Sequence, residues 1–414
     1  MMKFFLPDWE DRVDPWYDFK NDKYSSSHKK SPYENDIYAH QLFDVPPYDG
    51  ILVSLGVFKS KITLKDDKNP EIRGKNNIKD FLKIDNGKIE VMGDCGAFTY
   101  VHEKNPPPFY SVERVANLYE RLGFDYGVSV DHLVLDYVTK RVNGEKKRIE
   151  ISKREKNRRI KLTLKNAEKF LKLHKQNKFN FEPIGVAQGY DIETYTKSVK
   201  KLVDLGYEYI ALGSLVRYKT EEIVGILESI EPYTENVKIH LFGVLRPEAI
   251  KIFRKLGVTS FDSASYLRKA WLRSGRNYLA YNGMWYSAIR VPYSDDPRLV
   301  NNGKVNGYSI PELKKMESKA LKLLFKYDQG EATITEVLNA VLKYDQLLLR
   351  DSENMDKFEE KYIKTLEDKP WKQCNCNVCK SIGINVIIFR GTNRNKRRGF
   401  HNIWVFKNVL MNKL

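Results

Sequence analysis

Residues 184–262 read IGVAQGYDIETYTKSVKKLVDLGYEYIALGSLVRYKTEEIVGILESIEPYTENVKIHLFGVLRPEAIKIFRKLGVTSFD. Four apolar runs in it have strand length: Ile184–Ala187, Tyr209–Leu212, Ile239–Phe242 and Thr259–Phe261. Between them lie Ile192–Leu205, Thr220–Ile230 and Pro247–Leu256, whose apolar positions recur at helical spacing. Short buried strands alternating with helices of about ten to fifteen residues are βα units around a parallel sheet.

The same alternation extends upstream. Ile51–Val57, Ile89–Met92 and Tyr126–Val130 are further strand candidates. Val112–Leu122, with apolar Val115, Leu118 and Leu122, and Lys165–Leu173 read as helices. The number of units predicts an α/β fold, a (β/α)8 TIM barrel rather than an open sheet. Asp94, Asp131, Gln188, Gly213 and Asp262 each sit at or just past the C-terminal end of a predicted strand. Barrel enzymes assemble their active sites from those ends. Singly, each of these residues is also an ordinary helix cap or turn residue; jointly, they outline a site.

The expected organisation has three parts. Residues 1–48 are polar, aromatic and turn-rich and read as an irregular N-terminal extension. The barrel spans 49–310 with a basic insertion at 140–165, and 311–414 forms a helical and zinc-binding subdomain. In finer detail, 283–310 is irregular, 311–327 and 334–348 are helical, 352–368 is a charged helix, and a short basic segment ends the chain. With 414 residues, 42% of them hydrophobic, the chain can bury a large core. No run approaches the roughly 18 apolar residues of a membrane span. The opening MMKFFLPDWEDRVDPWYDF turns acidic too early for a signal peptide, so a soluble, cytoplasmic protein without membrane contact is expected.

Lys and Arg total 71 against 54 Asp and Glu, a net charge of +17. An abundance of Lys, Asn, Ile and Tyr can reflect an A/T-rich genome, so distribution is the better guide. Residues 140–165 carry twelve Lys/Arg against three Glu, and after Asp368 ten Lys/Arg occur with no acidic residue. Such clusters suit nucleic-acid backbone contacts. The candidates are Lys146, Lys147, Arg148, Arg158 and Arg159 in the first patch, and Arg394, Lys396, Arg397 and Arg398 in the second.

Only four cysteines occur, and three fall together as Cys374-x-Cys376-x2-Cys379, with His401 following after twenty-one intervening residues. A secreted disulfide framework would spread them; three thiolates and an imidazole instead complete a tetrahedral structural zinc site with no open position for catalysis.

In order, Asp94-Cys-Gly-Ala-Phe98, Val186-Ala-Gln-Gly189, Ala211-Leu-Gly-Ser-Leu215, Phe242-Gly-Val and Phe261-Asp-Ser-Ala-Ser265 are followed by the Cys-x-Cys-x2-Cys…His-Asn cluster. In this order the chain resembles the tRNA-guanine transglycosylase superfamily over about residues 50–280 and 370–410. That resemblance implies base exchange at a glycosidic bond on a (β/α)8 barrel with a zinc subdomain. Asp262 matches the nucleophile that attacks C1′ of guanosine, giving a covalent aspartyl–sugar intermediate. Asp94 matches the general acid/base. Asp131, Gln188 and the Gly213–Ser214–Leu215 backbone match positions that bind base edges, and Phe98 and Phe242 match the side chains that sandwich the heterocycle. Without the flanking motifs, Phe98 and Phe242 would read as barrel core. Cys95 either lines the base pocket or is a small buried thiol.

The departures are informative. The bacterial tRNA enzymes carry Ser and Gly-Gly where this chain has Cys95 and Gly96-Ala97, and Gln where Thr99 stands. SASYLRKAWLRSGRNYL after Asp262 is closer to the archaeal branch, yet an RNA-binding domain of the archaeal type is not expected after His401. An archaeal-like centre on a short basic chain that carries RNKRRGFHNIW at 394–404 resembles the DNA-modifying relatives. Those place 7-deazaguanine bases into DNA, commonly starting from 7-cyano-7-deazaguanine (preQ0). The resemblance thus implies DNA as partner, with tRNA as the alternative substrate and a non-catalytic nucleic-acid-binding subunit as a third reading. Retention of both Asp94 and Asp262 argues against the third. Similarity to bacterial DNA-modification systems admits a partner ATPase, and family members often form homodimers; no residue decides either point.

Overall fold

The computed structural model describes residues 2–64, 70–85, 87–142, 144–296, 307–347 and 356–413. Of the elements expected above, 297–306 of the irregular stretch, residue 348 and residues 352–355 lie outside the described residues. The chain divides into two compact units, one of residues 2–9 and 48–264, the other of 10–47 and 265–413.

The first unit is a closed barrel of eight strands: β1 Lys3–Pro7, β2 Gly50–Ser54, β3 Glu90–Asp94, β4 Tyr126–Val128, β5 Glu182–Ala187, β6 Tyr209–Leu212, β7 Lys238–Leu241 and β8 Val258–Asp262. Each strand pairs in parallel with its sequence neighbours, and β1 closes the ring between β8 and β2. Seven strands are the predicted apolar runs, shifted by a few residues. The run at Ile51 ends as a strand at Ser54, and Leu55–Phe58 turns helical. Phe5, Leu52, Met92, Tyr126, Val128, Ile184, Val186, Tyr209 and Ala211 fill the barrel interior, with Phe242 packed against them. The barrel is therefore a packed core and not a pore.

The expectation of an irregular segment through residue 48 is corrected by β1. Its register runs Phe4 beside Phe261 and Leu6 beside Ile51. Lys-Phe-Phe-Leu-Pro is only five residues long and is followed at once by polar turn sequence, so local pattern does not separate it from its flank. Closure does, because without it β2 and β8 would each present an unpaired edge.

The basic insertion also resolves into ordered parts. Tyr137–Val142 and Glu145–Glu150 form an antiparallel ribbon. A helix then runs Lys153–Asn177, capped by Ser152 and burying Arg159, Ile160, Thr163, Ala167, Phe170 and Leu171. Half the charge run is thus the outer face of a barrel helix.

The second unit joins residues 10–47 to everything after Ala264, so the compact barrel unit ends well before residue 310. It contains helices Ile310–Gln329, Ile334–Leu347, Asp356–Asp368, Asn377–Ile382 and Gly391–Val405. The expected short basic terminal segment is therefore mostly helix. Among the described residues, no helix is long and apolar enough to cross a membrane.

Candidate active site

The strand alternation places polar residues around one barrel rim. Asp94 and Asp262 are the last residues of β3 and β8; Gln188, Gly213 and Phe242 directly follow β5, β6 and β7; Asp131 lies three residues past β4. This is the C-terminal face, where βα loops gather.

On one side the groups form a hydrogen-bonded chain. Gln188 Nε2 donates to Asp131 Oδ2 at 2.6 Å, and Ser214 Oγ donates to Gln188 Oε1 at 2.7 Å. The same Ser214 hydroxyl accepts from Val134 N at 3.2 Å. Ser214 occupies the left-handed region at φ 61°, uncommon for a residue with a Cβ and typical of over-determined functional turns. Leu215 is fully buried, and its carbonyl accepts from Tyr218 N at 3.0 Å.

Cys95 is corrected from the base-lining role. It is fully buried and donates from Sγ to Asp131 Oδ1 at 3.1 Å, with Tyr100 Oη 3.2 Å away. It orients Asp131 from behind, as a packed thiol.

Asp94 is pushed up to about 7, first by burial in the rim and then by the charge of Asp131, with Asp262 adding a smaller push. The Ser54 hydroxyl and the Gly96 amide act in the opposite direction. A carboxyl titrating near neutrality is matched to general acid/base work. Burial likewise raises Asp131, against the hydrogen bonds from Cys95 and Gln188.

Asp262 is almost fully buried, and its Oδ1 is held by Gly243 N at 2.9 Å and by His240 Nε2 at 3.2 Å. His240 was not among the expected site residues. Its sequence trace is slight: one imidazole inside the apolar run Ile-His-Leu-Phe, paired in register with Ser260 on the neighbouring strand. Phe98 is 70% exposed, while Phe242 is half-buried with its ring centroid 4.8 Å from that of His240.

In the second unit, Cys374, Cys376, Cys379 and His401 form a buried group whose ligand atoms all lie within 4.8 Å of one another. In a tetrahedral site with metal–sulfur bonds of about 2.3 Å and metal–nitrogen bonds of about 2.0 Å, sulfur and nitrogen stand about 3.5 Å apart. Here His401 Nδ1 is 3.7, 3.3 and 3.3 Å from the three sulfurs. His401 Nε2 lies 2.7 Å from the Leu279 carbonyl, which can only accept, so Nε2 carries a proton and Nδ1 faces the centre of the group, where it would be a metal ligand. Asn402 accepts from Leu279 N and donates to the carbonyls of Tyr266 and Asn277, fixing the backbone behind the imidazole. The four residues fit a structural metal ion.

The two basic patches fare differently. Lys146, Lys147 and Arg148 are exposed on the ribbon. Arg158 is half-buried, donating to Glu155 and to the Lys104 carbonyl. The other assignments to nucleic-acid backbone are corrected. Arg159 is buried and donates to the carbonyls of Leu133 and Val101. Arg394 pairs with Asp22, Arg397 donates to the Asp14 carbonyl at 2.8 Å, and Arg398 donates to the carbonyls of Val386, Ile388 and Ala270. All three are buried. Lys396 is largely covered and lies 3.6 Å from Asp11. Guanidinium forks satisfying backbone carbonyls are structural ties.

The sequence matches the family described as TGT, queuine tRNA-ribosyltransferase, over residues 109–387. It is 40% identical to a protein of Salmonella montevideo named DNA-guanine transglycosylase, over 99% of this chain and 96% of that one. The rim carboxylates, the buried Cys3His group and these two similarities converge, and the chain belongs to the tRNA-guanine transglycosylase superfamily, alongside its DNA-guanine transglycosylase relative.

Proposed function

We propose that this chain exchanges guanine in DNA for a 7-deazaguanine base, with 7-cyano-7-deazaguanine as the incoming base, by two displacements at C1′. The observation that carries the reading is the pair of rim carboxylates. One is anchored by donors on a single oxygen, and the other is held near neutrality. Asp262 attacks C1′ of the target deoxyguanosine, an ester C–O bond forms, and the C1′–N9 bond breaks as guanine departs with a proton from Asp94. The incoming base then gives its ring N–H proton to Asp94, its nitrogen bonds C1′, and the Asp262 carboxylate leaves. Two inversions restore the original configuration. Asp131, Gln188 and the Gly213–Leu215 backbone bind the base edge, and Phe98 and Phe242 stack on its faces.

DNA is favoured by the name of the Salmonella relative, and a nucleic acid of either kind by the exposed ribbon. On it Lys140 faces Lys147 and Arg141 faces Lys146 across the strands. Like charges directly opposite destabilise a free ribbon, and a polyanion relieves the repulsion. The metal of the Cys3His group is zinc in this reading. It staples the second unit and takes no part in the chemistry. The family description supports tRNA as the second substrate reading. Incubation with 7-cyano-7-deazaguanine and either plasmid DNA or bulk tRNA, followed by nucleoside mass spectrometry, tests the choice. Incorporation into deoxynucleosides is expected; incorporation only into ribonucleosides overturns DNA as the substrate.

A further inference from the structure

We propose that His240 is a positioning residue for Asp262, that Ser260 and Tyr209 set its tautomer, and that Oδ2 of Asp262 is the attacking oxygen. The inference rests on the reading of Asp262 as nucleophile and adds the machinery behind it.

His240 is fully buried on β7. Its Nε2 lies 3.2 Å from Asp262 Oδ1, its Nδ1 lies 2.6 Å from Ser260 Oγ, and Ser260 Oγ lies 2.6 Å from Tyr209 Oη. With the His240 ring neutral, the direction of every bond follows from the carboxylate it faces. A carboxylate only accepts, so Nε2 must carry the imidazole proton. Nδ1 of the neutral ring is then an acceptor, so Ser260 must donate to it, and Tyr209 must donate to Ser260. Burial pushes the Tyr209 phenol up, which keeps that donor protonated. The chain Tyr209 to Ser260 to His240 to Asp262 therefore runs one way and ends on a single oxygen.

Both polar contacts of Asp262, from His240 and from Gly243 N, fall on Oδ1. Among the described residues Oδ2 has no donor, and it is the oxygen left to bond C1′. After attack, Oδ1 is the ester carbonyl oxygen. Negative charge leaves it as the ester forms and returns as the C1′–Oδ2 bond breaks. A donor on Oδ1 therefore favours breakdown of the intermediate over its formation, and it holds the carboxylate in one rotamer throughout.

The test uses the full chain, a guanine-containing DNA duplex and 7-cyano-7-deazaguanine, and compares wild type with His240→Leu, His240→Gln and Ser260→Ala. His240→Leu is expected to lower kcat about 10- to 100-fold, the range for a hydrogen bond to a charged group, with KM for the base within about twofold. Its denaturation-resistant protein–DNA adduct should rise as a fraction of enzyme, because breakdown slows most. His240→Gln, which keeps an N–H donor near Oδ1, should recover much of kcat and return the adduct toward the wild-type level. Wild-type kcat and adduct level in His240→Leu overturn the inference, as does a loss in which Gln rescues nothing. Should His240→Leu not fold, Ser260→Ala removes only the hydroxyl that sets the tautomer. It is expected to show the same accumulation in weaker form, and unchanged kinetics there also overturn the inference. An adduct that persists in Asp262→Ala is a different result: it removes Asp262 as nucleophile whatever His240 does.

Discussion

Gln188 reaches Asp131 because residue 213 has no side chain. A Cβ on Gly213 would stand 2.3 Å from Gln188 Nε2, the atom that donates to Asp131 Oδ2 at 2.6 Å. The glycine at the end of β6 thus makes room for the hydrogen-bonded pair on the neighbouring strand ends. Gly213→Ala should displace the Gln188 amide and break the chain from Ser214 to Asp131. The expected result is a rise of about tenfold or more in KM for the incoming base, with a stability loss of about 1–3 kcal/mol from overpacking. Steady-state kinetics and thermal denaturation check both figures, and a wild-type KM would show that this pair does not bind the base.

Asp94 gives a pH prediction with a definite sign. Its carboxyl is raised from 3.8 to about 7 in the fold, so the folded chain holds that proton more tightly than the unfolded one. The associated stability is present in full below about pH 4 and is lost as pH rises through about 7. Asp94→Asn should remove this slope. The difference in Tm between variant and wild type should grow in the variant's favour across that window. The same change should cut base exchange by about 10²- to 10⁴-fold, the usual contribution of a positioned acid/base.

Asp262→Ala should abolish the covalent adduct formed with DNA and incoming base. Denaturing gel shift after quenching reads the outcome directly, and the fold should survive because the side chain ends a strand at the rim.

Cys376→Ser removes one of four ligands from the buried Cys3His group. Metal analysis of the wild-type protein should find about one zinc per chain, and the variant should lose it together with the cooperative unfolding of the second unit. Wild-type protein purified without any bound metal would refute the assignment.

Arg398 and Lys147 should separate structure from binding. Arg398→Ala strips the donors from three carbonyls, those of Val386, Ile388 and Ala270. It should cost about 1–3 kcal/mol per buried group left unpaired, with the salt dependence of DNA binding unchanged in any protein that still folds. Lys147→Ala removes the like charge facing Lys140, so Tm should hold or rise slightly, and the slope of log affinity against log salt should fall by about one.

Much of the barrel was readable from residue order. The alternation of apolar runs and amphipathic stretches from Ile51 to Phe261 is local information, because strand and helix periodicity are set within about ten residues. The polar residues ending five strands, and the spacing of Cys374, Cys376 and Cys379 against His401, are local in the same sense. They mark the rim and the metal group without reference to any tertiary contact.

What the tertiary structure decided is non-local. Lys3–Pro7 becomes a strand because β2 and β8 offer it edges from more than forty and more than two hundred residues away, respectively. The cluster Arg394–Arg398 looks like a surface patch in composition. Yet charge density along a chain does not say which side chains meet carbonyls of distant segments and which meet water, and Asp14, Asp22 and Ala270 claim these guanidiniums. His240 carries no motif of its own. Its meaning arises only where parallel pairing sets β7 against β8 and brings an imidazole, a serine and a carboxylate within hydrogen-bonding distance, a geometry fixed by strand register and not by neighbours in sequence.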